Sequence, residues 1–267
     1  MPTPTIDSFA GAGVKLESYY VHQLCSPTRT ALLSGRYAYN IGMEDEVIVD
    51  GHPSDLPFSA KTLAKRLQEN GVATSAYGKW DAGMTSWGST PLCRGFDTFS
   101  GFYNADNDYF THIVGNGLDL RHDWNPDFKN NNETGYYMTE LISARVQDWI
   151  TGVVKANASQ PSFAYVAHQA IHGPNQVPLQ YIDGECAENV PADHPIRQIA
   201  CGMIKAVDAS VKNITDTYRD LGILDDTVII FTTDNGGNPD TGGSNYPFRG
   251  QKATLFEGGV RGAGWMS

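Results

Sequence analysis

Cysteine is scarce in this chain, with four among 267 residues, so each one asks for a reason. Long apolar runs are missing as well: the longest, such as "TVIIFTT", are far too short to span a bilayer, which leaves no membrane span. Basic charge is in short supply. Nineteen Lys and Arg against thirty Asp and Glu give a net charge of −11, and no basic patch offsets it. That balance excludes a nucleic-acid partner. It does not exclude a small anionic substrate, because a few focused cations in a cleft override the global field. The opening "MPTPTIDSFAGAG" has neither a basic start nor an apolar core, so it is no secretory leader. Yet sequons stand at Asn132, Asn157 and Asn213, and with the four cysteines they point to the secretory pathway, lysosomal or extracellular. The expectation that reconciles these signals is a longer protein whose beginning is not in this sequence.

What is present is globular: 40% hydrophobic, 18% charged, without repeats or low-complexity tracts, and long enough for a substantial core. "SAKTLAKRLQENG" (59–71) reads as an amphipathic helix with Leu63, Ala64 and Leu67 on one face and Gly71 as its stop. "VATSAYGKW" follows as a strand. Residues 136–156 carry Met138, Leu141, Ile142, Val146, Trp149, Ile150, Val153 and Val154 at helical spacing. "SFAYVAHQAIH" (162–172) reads as a buried strand, about 195 to 222 as a helix closed by Gly222, and "DDTVIIFTTDNGG" as a buried strand ending in a turn. Helices alternating with apolar strands predict an α/β fold, a sheet covered on both faces. In such sheets ligands sit outside the carboxyl ends of the strands. Three strand ends here carry chemistry: "YGKWD", "AHQAIHGP" and "TTDNGG". Residues 96–135 form a long aromatic and Asn/Asp/Gly-rich excursion, a length that marks a functional rim or a poorly ordered loop.

Cys25 lies in "HQLCSPTRTALLSGRY" (22–37). A buried thiol, a disulfide half, a metal ligand and a nucleophile are all open to it. Pro27 suits a first helical turn, and "TRTALLSG" continues as a short helix. A cysteine at a helix start near Arg29 lies in positive potential, which favours anions and a depressed thiol pKa. A cysteine hydrolase also needs a histidine base, and local spacing identifies none. Asp234-Asn235 offers a carboxylate and an amide oxygen at a strand end, donors suited to a hard cation, although Asp-Asn-Gly-Gly is also a common turn. Lys79, His172 and Lys252 each have a bland reading as a solvated charge or a satisfied strand-end residue. Together with Arg29 they supply three fixed cations and a titratable donor, which sulfuryl or phosphoryl chemistry needs where charge develops.

The ordered set "LCSPTRTALLSGRY", "GKW", "HQAIHGPNQVP", "TTDNGG" and "NYPFRGQKATLFEGGVRGAGW" resembles the sulfatase family, its last motif most like the arylsulfatase B-like branch. The resemblance covers nearly the whole chain. It implies an alkaline-phosphatase-like mixed, mostly parallel sheet, with 1–267 as one partial catalytic domain. It implies that a formylglycine-generating enzyme oxidises Cys25 to formylglycine, whose hydrate attacks the sulfur of a sulfated carbohydrate or aryl sulfate. One hydroxyl takes the sulfuryl group and the alcohol leaves; loss of a proton from the other expels sulfate and restores the aldehyde. By the same resemblance Arg29 would hold the formylglycine oxygens, Lys79 would support nucleophile and sulfate, and Lys252 would bind a sulfate oxygen. His172 would be the general acid. Asp234, Asn235 and the oxygen derived from Cys25 would ligate calcium.

Two departures carry expectations. The family's Asp-Asp pair belongs to a segment ahead of this sequence, and its "GKWH" histidine is Asp81 here. Asp81 could accept a proton, but its charge opposes an anionic substrate unless a metal or a lysine compensates, so reduced or altered activity is expected. The resemblance therefore leaves two alternatives standing: a sulfated-glycan-binding protein without turnover, and a phosphoester hydrolase of the same superfamily. Cys186 and Cys201 bracket a loop that a disulfide would stabilise by about 3 kcal/mol, or they are unrelated thiols.

Overall fold

The computed structural model describes residues 2–44, 47–49, 51–122 and 133–267. The sequon at Asn132 and part of the 96–135 excursion lie outside the described residues. In chain order the α-helices are α1 (Pro4–Ala12), α2 (Cys25–Ser34), α3 (Leu63–Glu69), α4 (Met138–Ala156), α5 (Leu179–Ile182), α6 (Glu185–Asn189), α7 (Pro195–Asp220) and α8 (Glu257–Val260). The strands are β1 (Val14–Lys15), β2 (Ala73–Lys79), β3 (Thr98–Phe102), β4 (Ile113–Val114), β5 (Gly117–Leu118), β6 (Arg121–His122), β7 (Ser162–Ala167), β8 (Ile230–Thr232) and β9 (Gly264–Met266). They group into two compact units, one of residues 1–24 with Ala170–Ser267, the other Cys25–Gln169.

The Cys25–Gln169 unit is built on a four-stranded sheet in the order β6-β3-β2-β7. β2 pairs in parallel with both β3 and β7, and β6 adds an antiparallel edge. Successive side chains of a strand point to opposite faces. On one face Ala76 joins a core of Leu33, Leu56, Ala64, Trp80, Phe96 and Phe99. On the other, Tyr77 meets Trp149 of α4 edge to face, with ring centroids 6.3 Å apart. The sheet is thus flanked by helices, as the alternation of elements predicts. β2 needs a glycine at 78. Its φ is +82°, and a methyl there would overlap the carbonyl oxygen of Ala167 on β7.

Helix α4 runs close to the expected 136–156, burying Met138, Ile142, Val146 and Ile150 at i, i+4 steps. α3 is shorter than 59–71. Thr62 caps it, its hydroxyl accepting from Lys65 N at 3.0 Å, so residues 59–61 stay outside. Leu63 does not lie on the buried face as expected: at 45% exposure it points to solvent, while Ala64 is fully buried. The strand at 162–172 also needs correction. It ends at Ala167 and is half-buried rather than buried, because it pairs with β2 alone among the described strands and forms the sheet's edge.

The other unit holds a three-stranded antiparallel sheet, β1-β9-β8, against α1 and α7. Trp265 of β9 stacks between Phe9 of α1 and Phe231 of β8, at centroid distances of 6.1 and 5.6 Å. The N-terminus of α1 is satisfied by Asp208 of α7, whose carboxylate accepts from Thr5 N at 3.2 Å and Ile6 N at 2.8 Å. α7 matches the expected 195–222 closely, and Gly222 follows it with φ +71°. β8 covers only Ile230–Thr232 of the expected strand and lies at an edge, with Val228 and Ile230 exposed rather than buried. The choice left open for Cys186 and Cys201 is settled: they form a disulfide. Cys93 is free and exposed.

Candidate functional site

Cys25 is the first residue of α2, one position inside the helix, and is 1% exposed. Pro27 in the first turn costs nothing, since a proline's missing N–H would have no intrahelical partner there. Thr30 closes the turn, its hydroxyl donating to Ser26 O at 2.7 Å. Arg29, one turn after Cys25, lies on the same helix face. Its Nη1 donates to Lys79 O at 3.2 Å and to the Tyr165 hydroxyl at 3.5 Å. Lys79 is the last residue of β2 and is 2% exposed. Two cations this deeply buried need a compensating charge, because desolvation is costly for an unpaired ion.

Asp81 supplies it. Its Oδ2 lies 3.2 Å from Lys79 Nζ and 4.0 Å from Arg29 Nε, and Oδ1 accepts from Ser26 Oγ at 2.6 Å. Ile48 N donates to the same Ser26 oxygen at 2.8 Å. Two candidates, Arg29 and Lys79, are thereby joined through the Asp81 carboxylate to the hydroxyl of Ser26, the residue next to Cys25. Ser26 was not singled out from the sequence. Its neighbour Cys25 drew the attention, and nothing local predicts a partner 55 residues away.

His172, Asp234, Asn235 and Lys252 belong to the other unit. Gly173 O accepts from His172 Nδ1 at 2.8 Å; a carbonyl only accepts, so Nδ1 carries the proton and Nε2 is the nitrogen that a neutral ring offers as acceptor. His172's loop is tied down by Asn175, whose Nδ2 donates to Thr241 O at 3.0 Å. Asp234 and Asn235 follow β8 after a single residue, Thr233, and are half-buried. The Asn235 amide nitrogen donates to Gly236 O at 2.8 Å, which directs the amide oxygen the other way. Lys252 N donates to Gly237 O at 3.2 Å, and Asn245 bridges the two turns by contacts to Gly237 and Gly250. The Asp-Asn turn and the lysine turn are thus one backbone-braced structure. Its close packing requires glycine at 236, where a side chain would collide with Gly258 O.

Calcium takes about 6–8 oxygens. Asp234 and Asn235 are right in kind, hard oxygen donors, but two in number. Among the described residues no group of three or more His, Cys, Asp or Glu could hold a metal. The pair is therefore part of a donor set at most, and no chemical step is assigned through it. No helix among the described residues is long and apolar enough to cross a membrane.

The mixed, helix-flanked sheet of the Cys25–Gln169 unit is that of an alkaline-phosphatase-like α/β fold. The chain belongs to the Sulfatase family, whose model matches residues 1–262. It is similar to arylsulfatase J of Mus musculus, 36% identical over 270 residues, covering 99% of this chain and 44% of that protein. The N-acetylgalactosamine-6-sulfatase of the same organism is 29% identical over 278 residues, 97% of this chain and 51% of that protein. Among solved structures, Ps i-CgsB in complex with k-i-k-neocarrahexaose superposes with a TM-score of 0.87 at 29% identity, over 99% of this chain and 60% of that one. The chain spans about half the length of these curated relatives.

Proposed function

We propose that the protein is a sulfuric ester hydrolase acting on a sulfated carbohydrate, with Cys25 converted to formylglycine as the source of the nucleophile. The observation that carries the reading is Cys25 buried at the start of α2, with Arg29 one turn on and bonded to Lys79. Family membership supports the reaction class. Two of the named relatives support a carbohydrate substrate, one an N-acetylgalactosamine-6-sulfatase and another solved with neocarrahexaose, while arylsulfatase J keeps an aryl sulfate as the second reading. The match over 1–262 supports treating the whole chain as one sulfatase-type catalytic domain.

In this reading Arg29 and Lys79 neutralise the sulfate and steady the group at position 25, donors already fixed before charge develops. Lys252 binds a further sulfate oxygen. His172 protonates the leaving alcohol from Nε2, and with Nδ1 held by Gly173 it does so only as imidazolium. Asp234 and Asn235 contribute to a calcium site, and calcium when bound supplies Lewis-acid polarisation. A formylglycine-generating enzyme is the maturation partner, and the secretory pathway is the compartment. The Cys186–Cys201 disulfide supports that assignment, as disulfides persist in oxidising compartments. Of the described sequons, Asn157 is exposed beyond the end of α4 and is the better glycan acceptor; Asn213 lies within α7, and its Thr215 is buried and bonded to Val211 O.

The test is mass spectrometry of the Cys25 peptide from protein co-produced with the converting enzyme, followed by assay on a sulfated oligosaccharide and an aryl sulfate. Conversion with sulfate release is expected. A thiol that persists at Cys25 under those conditions sinks the formylglycine assignment, and a higher rate on the matching phosphate ester overturns the reaction class.

A further inference from the structure

Asp81 holds a place in this cluster that the reaction above does not use. Its side chain is fully buried, and its backbone sits in the left-handed region at φ +49°, a conformation few residues other than glycine, Asn or Asp adopt readily. The backbone is pinned there: Asp81 N donates to Tyr103 O at 3.2 Å, and the flanking Trp80 N donates to Phe102 O at 3.0 Å. The two carboxylate oxygens are divided between neighbours. Oδ1 takes the Ser26 hydroxyl at 2.6 Å, and Oδ2 faces Lys79 Nζ at 3.2 Å and Arg29 Nε at 4.0 Å. A carboxylate held this firmly constrains the two cations as much as they satisfy it.

We propose that Asp81 is a positioning residue that sets both the placement and the net charge of the Arg29–Lys79 pair. The inference rests on the hydrolase reading, which assigns those two cations to the sulfate. Asp81 faces both cations and offsets one of their two positive charges. The carboxylate draws the Lys79 ammonium toward itself, and through Ser26 it anchors the first turn of α2, next to Cys25. Its two consequences have opposite signs. Ground-state affinity for an anion is held down, which favours release of sulfate, while the orientation of the cations toward the reacting group is secured. Asp81 is therefore a built-in limit on product binding.

The deciding variant is Asp81→Asn, which keeps the shape and the hydrogen bond from Ser26 but removes the charge. The binding of inorganic sulfate is measured by calorimetry on the wild type and the variant. Turnover of a sulfated oligosaccharide is measured on the same samples after conversion of Cys25 has been checked by mass. Sulfate is expected to bind roughly tenfold tighter in Asp81→Asn, since at short range one buried charge easily outweighs that factor. At the same time kcat is expected to fall by up to about 100-fold, the scale of misplacing a reacting group. A purely structural role would weaken both, so tighter sulfate binding together with slower turnover is the distinguishing result. Unchanged or weaker sulfate binding overturns the proposal. Asp81→Glu, which keeps the charge and displaces it, is expected to retain wild-type sulfate affinity with reduced kcat; should Asp81→Asn not fold, wild-type kcat in Asp81→Glu overturns the proposal. A converted wild type without sulfatase activity refutes the hydrolase reading instead, and the sulfate-binding comparison still decides the role of Asp81.

Discussion

Lys79 Nζ and Asp81 Oδ2 lie 3.2 Å apart, with both side chains withdrawn from solvent. The lysine that an anionic residue at 81 requires is thus supplied by the same strand end, two positions earlier. Removing Lys79 leaves Asp81 buried with Arg29 Nε no nearer than 4.0 Å, and breaking a buried pair costs up to about 3–5 kcal/mol. Lys79→Met should therefore lower stability on that scale in urea unfolding. Adding Asp81→Asn should recover part of the loss, because the buried carboxylate is then gone while Arg29 keeps its contacts to the backbone oxygen of residue 79 and to the Tyr165 hydroxyl. Equal stability of Lys79→Met and the wild type would show that the pair is not coupled.

Arg29→Ala should reduce kcat/KM on a sulfate ester by about 100-fold or more, the scale of deleting one preorganised donor. Arg29→Lys should not restore it. Lysine cannot keep the two Nη1 contacts to Lys79 O and Tyr165 while facing Asp81 through a second nitrogen. Wild-type kinetics in Arg29→Ala would refute the role assigned to this side chain.

Gly78→Ala should disrupt the Cys25–Gln169 unit. The new methyl meets the Ala167 carbonyl, and φ +82° is strained for alanine, so destabilisation above about 2 kcal/mol is expected. Thermal unfolding checks this. Gly152→Ala serves as the control, because an added methyl there meets nothing within 4 Å and helix α4 gains a better helix former.

His168 follows β7, and burial lowers its pKa from 6.5 to about 4. The residue as a whole keeps some exposure, while its Nδ1 is shut off from solvent. Between those pH values the unfolded chain binds a proton that the folded one does not. Stability should thus be full above about pH 6.5 and fall as pH drops toward 4, by no more than about 3 kcal/mol from this group. Urea midpoints at pH 7 and pH 4.5 measure the loss. His168→Asn, which does not titrate, should flatten the difference, and an unchanged pH dependence in that variant would assign the effect elsewhere.

Legibility in the sequence tracked the range of the interactions. Helices α4 and α7 were readable because their apolar spacing is a local property, repeated over five turns or more. The boundary of α3 was misread because Thr62 acts as a cap rather than as a helical residue, and a cap shows itself only by the bond it makes. Edge strands were misread for a different reason. β7 and β8 are apolar enough for a sheet interior, and their exposure depends on which strands pair beside them.

The candidate site divides in the same way. Residue types at strand ends and a helix start were enough to single out Cys25, Arg29, Lys79, His172, Asp234, Asn235 and Lys252, because such chemistry needs cations and hard donors wherever the chain folds. The motif order was enough to recognise the family. The sequence alone determined, too, that position 81 bears a carboxylate, two positions after Lys79. Only the tertiary structure decided what that carboxylate does: Ser26 and Arg29 reach it from 55 and 52 positions away, and Lys79 turns inward to meet it. The physical reason is that burial raises the cost of an unpaired charge, so the fold selects the partners, and partners so distant in sequence carry no local signature.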